Sequence, residues 1–325
     1  MLYPIKFHPI FKDKIWGGEK IRTILKKDFA PLPNCGESWE ISGYRNNESI
    51  VRNGFLNGKG LNEILKIYKG SLVGQRVYSK FSNEFPLLIK FIDSNEDLSI
   101  QVHPDDDLAR ERHGSFGKTE MWYIIHADKN AELISGFNQQ VDKQTYLRYF
   151  SEGTLTAILN KEKVYKDDVF FIPAGRIHTL GKGLLLTEIQ QSSDLTYRIY
   201  DFDRKDQYGN KRELHLEEAL DAIDYKFYPE YKTRYTDQVG SPVEIVRSQY
   251  FTTNKLLLKN PLDRDIEALD SFIIYICLEG NGHIQHAENH TDFKMGDVLL
   301  VPVILKQYTL VPDQDLKMLE TYITL

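Results

Sequence analysis

Cysteine is nearly missing: Cys35 and Cys277 are the two in 325 residues, far apart and neither in a C-x-x-C pair. That excludes a disulfide framework and a cysteine-based zinc site, and it points to a reducing compartment. No stretch approaches the ~20 uninterrupted apolar residues of a membrane span. Pro4, His8, Pro9 and Lys12 break up the N-terminal segment where a signal peptide would keep an apolar core. The expected location is therefore the cytoplasm. An excess of positive charge is also missing, with 41 Lys+Arg against 47 Asp+Glu for a net charge of −6. A basic surface for nucleic acid or anionic membrane is not expected. Low-complexity tracts are absent and helical patterns are few.

What is present is a series of short runs rich in Val, Ile, Leu, Phe and Tyr, each bounded by Gly, Asn, Asp or Pro. They cover residues 37–42, 85–93, 98–102, 121–126, 169–172, 184–190 and 197–202, and a further series starts at Phe251. Helical spacing occurs at 61–81, interrupted by Gly70 and Gly74, and at 142–150 and 216–223. The profile predicts a mainly β chain of the sandwich or barrel type, not a doubly wound α/β sheet. The run DDVFFIPAGRIHTL at 167–180 is echoed by GDVLLVPVILKQYTL at 296–310, with Asp168 and Pro173 answering Asp297 and Pro302. Two copies of one β unit are expected, joined near residues 229–241. In the second copy Gln307 stands five residues after Pro302, where His178 follows Pro173, so that copy is expected to be structural.

Chemistry concentrates in the first copy. Strand alternation places Ser99, Gln101 and His103 on one face, and Lys118, Glu120 and Trp122 on one face of the next run. The P-A-G-x-x-H segment delivers His178 just past a buried strand. Gln101, His103, Glu120 and His178 would offer two nitrogens and two oxygens, a set suited to zinc or another borderline divalent metal. Lys90 is a lone charge inside the apolar run PLLIKFI and is expected to face the pocket, a snorkelling edge-strand lysine being the alternative. Of Trp16, Trp39 and Trp122, which could all wall a sugar site, Trp122 is the candidate because it shares a face with Glu120. Asp105, Asp106 and Asp107 read as a helix start, with carboxylates capping free amides. His283, His286 and His290 read as the polar face of a hairpin.

The Q-x-H, later Glu and P-A-G-x-x-H pattern resembles the metal motif of cupins. The blocks GESWEIS (36–42), FPLLIKFIDS (85–94), LSIQVHPDD (98–106), GKTEMWYI (117–124), IPAGRIHTL (172–180) and the 188–203 stretch resemble type I phosphomannose isomerases of the short bacterial form. The resemblance implies two cupin (jelly-roll) β-barrels with a few short helices. Residues 1–235 would form the metal-binding domain and 236–325 a degenerate one. It implies one zinc ion per chain on Gln101, His103, Glu120 and His178, with Arg198, Glu188 and Lys118 as catalytic residues. The reaction implied is interconversion of mannose 6-phosphate and fructose 6-phosphate through an enediol, with a small sugar phosphate as partner and no nucleic acid or membrane. Glu188 and Lys118 are both candidates for the base, Glu188 favoured. Arg198, Lys90 and Ser99 are candidates for holding phosphate. Longer relatives carry a helical insertion before the last histidine, whereas only 57 residues separate Glu120 from His178 here. An iron-dependent cupin oxygenase and a non-catalytic sugar-binding cupin are the alternatives.

Overall fold

The computed structural model describes residues 2–205 and 209–325. Its strands follow the expected runs closely: Glu37–Ser42, Leu87–Ser94, Ile100–Val102, Glu120–Ala127, Val169–Ile172, Leu184–Gln191 and Tyr197–Tyr200. The helical pattern at 61–81 resolves into Leu61–Tyr68, Gly70–Val73 and Gln75–Phe81. Its first break falls on Lys69, with φ of 49°, and not on Gly70, which is helical; the second falls on Gly74, with φ of 102°. A Cβ at Gly74 would sit 2.0 Å from the Asp270 carbonyl oxygen, so glycine is required there by space as well as by φ. Asp105 caps the helix Asp106–His113 by accepting from the Leu108 amide at 2.9 Å, as the sequence suggested. No helix among the described residues is long and apolar enough to cross a membrane.

Among the described residues, four antiparallel sheets carry the fold. A seven-stranded sheet runs, edge to edge, Lys232–Thr233, Val169–Ile172, Glu120–Ala127, Leu184–Gln191, Leu87–Ser94, Glu37–Ser42, Ile10–Lys12. Its five-stranded companion runs Tyr197–Tyr200, Ile100–Val102, His178–Leu180, Glu132–Phe137, Leu159–Lys163. In the second half a six-stranded sheet runs Ile5–Lys6, Val298–Val301, Ile273–Glu279, Leu316–Tyr322, Thr252–Leu258, Val243–Arg247. The last sheet runs Leu262–Asp265, Gln307–Pro312, Asn281–His286, Asn289–Lys294. Apart from the extra edge strands Ile10–Lys12 and Tyr197–Tyr200 of the first half, the strand orders of the two halves match position by position, which extends the sequence echo to most of each unit. The N-terminal strand Ile5–Lys6 pairs with Leu299 and Leu300, so the chain starts in the second half's larger sheet.

Alternation explains how the larger sheets can be buried on both faces. Ile89, Phe91, Met121, Tyr123 and Ile189 join Ile274, Ile276, Leu300 and Leu319 in one apolar cluster, which packs the seven-stranded sheet against the six-stranded one. The intervening residues Lys90, Ile92, Trp122, Ile124 and Glu188 point the other way, toward the five-stranded sheet, where the polar site lies. The outer face of that smaller sheet is covered by the helices Lys143–Ser151 and Leu216–Ala222 through Ile100, Val102, Tyr146, Ile199 and Ala219.

Register corrects one detail of the repeat. Ile172, before Pro173, lies opposite Glu120, and Val301, before Pro302, lies opposite Ile273, so an isoleucine occupies the glutamate's place. Gln101 pairs with His178, whereas Arg264 pairs with Tyr308. The second copy thus sets Tyr308, not Gln307, in the place of His178, aligning the tripeptides HTL and YTL after a one-residue insertion. His283, His286 and His290 lie on the hairpin Asn281–His286 and Asn289–Lys294, as expected.

Candidate metal and substrate site

Two lines of side chains face one another between the seven- and five-stranded sheets. Across the larger sheet, successive register partners are Trp39, Lys90, Glu188 and Trp122. Across the smaller sheet they are Arg198, Gln101 and His178. A cavity of about 280 Å³ lies between them, at the small end of ligand sites. Lys90, Ser99, Gln101, Lys118, Trp122, His178, Glu188 and Arg198 all line it, and His103 and Glu120 lie beside it. The strand carrying Lys90 is flanked on both sides, so the edge-strand alternative is wrong: the lysine is buried and ion-paired to Glu188 at 3.2 Å.

The potential ligands come from three stretches. His103 follows the short strand Ile100–Val102, Glu120 opens its strand, and His178 begins the strand after the P-A-G turn. Gly175 in that turn has φ of 85° and its amide donates to the His103 carbonyl at 2.9 Å, which ties the two histidine segments together. The His103 and His178 nitrogens and the Glu120 carboxylate lie within 4.8 Å of one another, all buried. This is the one such metal-capable group among the described residues.

Electrostatics in this group suit a cation. Burial, together with the Lys118 charge, holds the His103 imidazole well below the ordinary histidine range. Burial likewise lowers His178 to about 4, against the pull of the Arg176 carbonyl. Both rings are therefore neutral near pH 7 and keep a lone pair for a metal. The Nδ1 of His178 donates to the Arg176 carbonyl at 2.8 Å, which turns its Nε2 toward Glu120, 3.5 Å away. Both Glu120 oxygens are buried without a hydrogen-bond partner, although Lys118 Nζ is 3.3 Å away and His103 Nε2 3.5 Å away. A carboxylate left so incompletely satisfied is costly to bury unless it coordinates something. Gln101 adjoins the group, its amide 3.2 Å from His178 Nε2.

Glu188 is fixed on both oxygens, by Lys90 at 3.2 Å and by the Trp122 indole N–H at 2.9 Å. Burial would raise its pKa, but Lys90 and Lys118 outweigh burial and lower it. It stays a carboxylate. Arg198 commits Nη1 to the Glu213 carbonyl at 2.9 Å and leaves a buried Nε unpartnered. Ser99 is buried on the cavity wall, with its hydroxyl 3.5 Å from the Gln101 amide oxygen.

Comparison with known proteins identifies the family of the chain. Residues 5–118 match the family described as phosphomannose isomerase type I, catalytic domain, and residues 243–316 match the mannose-6-phosphate isomerase cupin domain. The chain is 36% identical over 316 residues to mannose-6-phosphate isomerase ManA of Bacillus subtilis, covering 94% of this chain and 95% of that protein. The chain belongs to the type I phosphomannose isomerases. The mannose-6-phosphate isomerase of Streptococcus mutans is 35% identical, with 99% of each chain covered. A crystal structure of the Bacillus subtilis mannose 6-phosphate isomerase superimposes with a TM-score of 0.89 at 32% identity, covering 99% of this chain and all of that one.

Several wall residues of this phosphomannose isomerase were not singled out from sequence, namely Lys14, Glu37, Asp194, Thr196 and Arg212, and Trp16, set aside there in favour of Trp122, lines the cavity as well. Glu37 lies inside a motif block, but its role needs the cavity to be seen. Lys14 approaches it at 3.4 Å and the Trp39 indole donates to it at 2.7 Å. Trp16 lines the cavity beside Trp122, while Trp39 is fully buried behind Glu37. Arg212 comes from a polar stretch with no local signal.

Proposed function

We propose that the chain interconverts mannose 6-phosphate and fructose 6-phosphate with one zinc ion held by Gln101, His103, Glu120 and His178. The observation that carries this is the buried His103–Glu120–His178 group, with its unsatisfied carboxylate, opening beside a cavity that holds Lys90, Lys118, Glu188 and Arg198. Each facing pair of sheets reads as a jelly-roll barrel. Residues 1–235 form the working unit and 236–325 a copy without ligands, and the reducing cytoplasm fits two free, buried cysteines.

Gln101, His103, Glu120 and His178 would hold the cation, which would supply Lewis-acid stabilisation of negative charge on the sugar oxygens. Glu188, kept ionised by Lys90 and oriented by the Trp122 indole, takes the proton from one carbon and returns it to the other. Lys118, buried 3.2 Å from His103, is placed to donate to the enediol oxygens. Arg198 directs its spare donors at the substrate, and Ser99 and Lys90 complete the polar wall. Trp16 and Trp122 give the sugar an apolar surface and exclude water.

A coupled isomerase assay on purified protein, with and without chelator, tests the reading. Turnover should vanish on chelation and return with zinc. Chelation should also lower the melting temperature, since cation at 100 times its dissociation constant stabilises by about 2.7 kcal/mol. Turnover untouched by chelation, or iron content with oxygen uptake and no isomerisation, would overturn it. Exchange of the C2 hydrogen with solvent assigns the base: Glu188→Gln should abolish exchange, whereas Lys118→Met should slow it.

A further inference from the structure

Two arginines, Arg204 and Arg212, meet one carboxylate at the rim of the cavity, a third, Arg198, lies within its electrostatic reach, and their hydrogen bonds are shared unequally. Asp201 is buried and accepts from both Arg204 and Arg212. Arg204 engages all three of its nitrogens, with Nε and Nη2 on Asp201 and Nη1 on the Asp97 carbonyl. It does not line the cavity and serves to lock Asp201 in place. Arg212 lays Nε, at 2.7 Å, and Nη2 on the same carboxylate. Its side chain lines the cavity, and no hydrogen bond engages its Nη1 among the described residues. Arg198 beside it also faces the cavity with its Nε unpartnered. Three guanidinium charges stand against Asp201 and the exposed Asp194 on the wall, a surplus of one.

That surplus, with donors on two adjacent planar forks that no hydrogen bond among the described residues engages, matches a dianion with several acceptor oxygens better than a neutral hydroxyl group. Arg198 stands two strands from His178 across the smaller sheet, with Gln101 between. At ~4.8 Å per strand this is about 10 Å, which leaves room for a hexose between an anion at the arginine end and the reacting carbons at the histidine end. We infer that Arg212 is a specificity-determining residue: together with Arg198 it grips the phosphate of the substrate, and Asp201, locked by Arg204, positions its guanidinium. The inference rests on the sugar-phosphate isomerase reading above and adds the residue that makes the site choose phosphorylated sugars.

The test uses the zinc-loaded full chain. Arg212→Leu should raise KM for mannose 6-phosphate at least tenfold, keep kcat within about threefold, and leave kcat/KM for unphosphorylated mannose unchanged. Inorganic phosphate, as a competitive inhibitor and by calorimetric titration, should bind at least tenfold more weakly. Arg212→Lys should recover part of the affinity, and Asp201→Asn should weaken it by freeing the guanidinium. Parallel losses on both sugars would mean a structural role, and unchanged phosphate affinity in folded Arg212→Leu would overturn the inference. Should Arg212→Leu not fold, Arg212→Lys carries the same comparison, weaker for phosphate if the planar fork is used and equal if not. If the wild type converts neither sugar, the isomerase reading fails by itself. The phosphate titration then still decides the arginine: tighter binding to wild type than to the variant upholds it, and equal binding overturns it.

Discussion

Replacing Lys90 by methionine asks whether the cavity's charges hold one another in place. Lys90 and Glu188 are each 3% exposed and sit opposite one another on adjacent central strands, 3.2 Å apart. Burial works against charge on both, yet Glu188 and Glu37 raise the lysine's pKa, and Lys90 and Lys118 lower the glutamate's. Attraction therefore exceeds desolvation, and removing one partner strands the other. One-sided loss of a buried pair costs about 3–5 kcal/mol. Glu188 would keep the Trp122 N–H and the nearby Lys118 charge, which puts Lys90→Met near the lower end, at about 3 kcal/mol. Glu188→Leu should cost a similar ~3 kcal/mol, because Lys90 keeps Glu37 and the face of Trp39, 5.0 Å from its ring centre. The double variant removes both charges and leaves only the indole N–H unsatisfied, a loss of about 1–2 kcal/mol. Urea unfolding of the four proteins should therefore show a double variant about 4 kcal/mol more stable than additivity allows, with m unchanged. Isomerase activity should be lost in all three variants, separating stability from chemistry. Additivity within about 0.5 kcal/mol would refute the claim that the pair is a coupled unit.

Two further outcomes follow from the charges around the site. Burial works against ionising Glu37, but Lys90, Lys14 and the Trp39 indole outweigh it and pull its carboxyl down to about 2. A carboxyl depressed in the folded state contributes its stability in full above its unfolded pKa near 4.5 and loses it as pH falls toward 2. Glu37→Gln should flatten the acid limb of a stability-against-pH curve in that window, by roughly 3 kcal/mol at 1.36 kcal/mol per pH unit; an unaltered limb would remove the argument. In the second half, Glu320 is fully buried and held by Arg264 at 2.7 Å, Tyr275 at 2.8 Å and Asn254 at 3.0 Å. Arg264→Met should cost about 3 kcal/mol in denaturant with kcat and KM unchanged. A folded variant with lost turnover would show that this half takes part in the reaction.

The Arg264–Glu320 cluster also shows what happened to the repeated site. By register, Arg264, Tyr308, Tyr275, Glu320 and Asn254 occupy the places of Gln101, His178, Trp122, Glu188 and Lys90. The polar positions persist, but a guanidinium and two phenols fill the space, and Ile273 stands in the place of Glu120. A buried network that satisfies itself supports a fold. One that leaves carboxylate oxygens unsatisfied, as at Glu120, is poised for a ligand.

Sequence alone determined the strand runs, the Asp105 cap and the repeat, and pointed to the His103, Glu120 and His178 that the fold brings together. All of these depend on neighbours within a few residues, on alternation, or on residue types that few other positions could explain. It could not reveal that Lys90 is central and ion-paired, that Tyr308 stands where His178 does, or that Glu37 and Arg212 reach the cavity. Those facts depend on which strands lie side by side, in what register, and which loop is carried across the rim. Hydrophobic alternation fixes the face a residue points to, but the choice of partner facing it is a long-range matter, made only when the sheets pack.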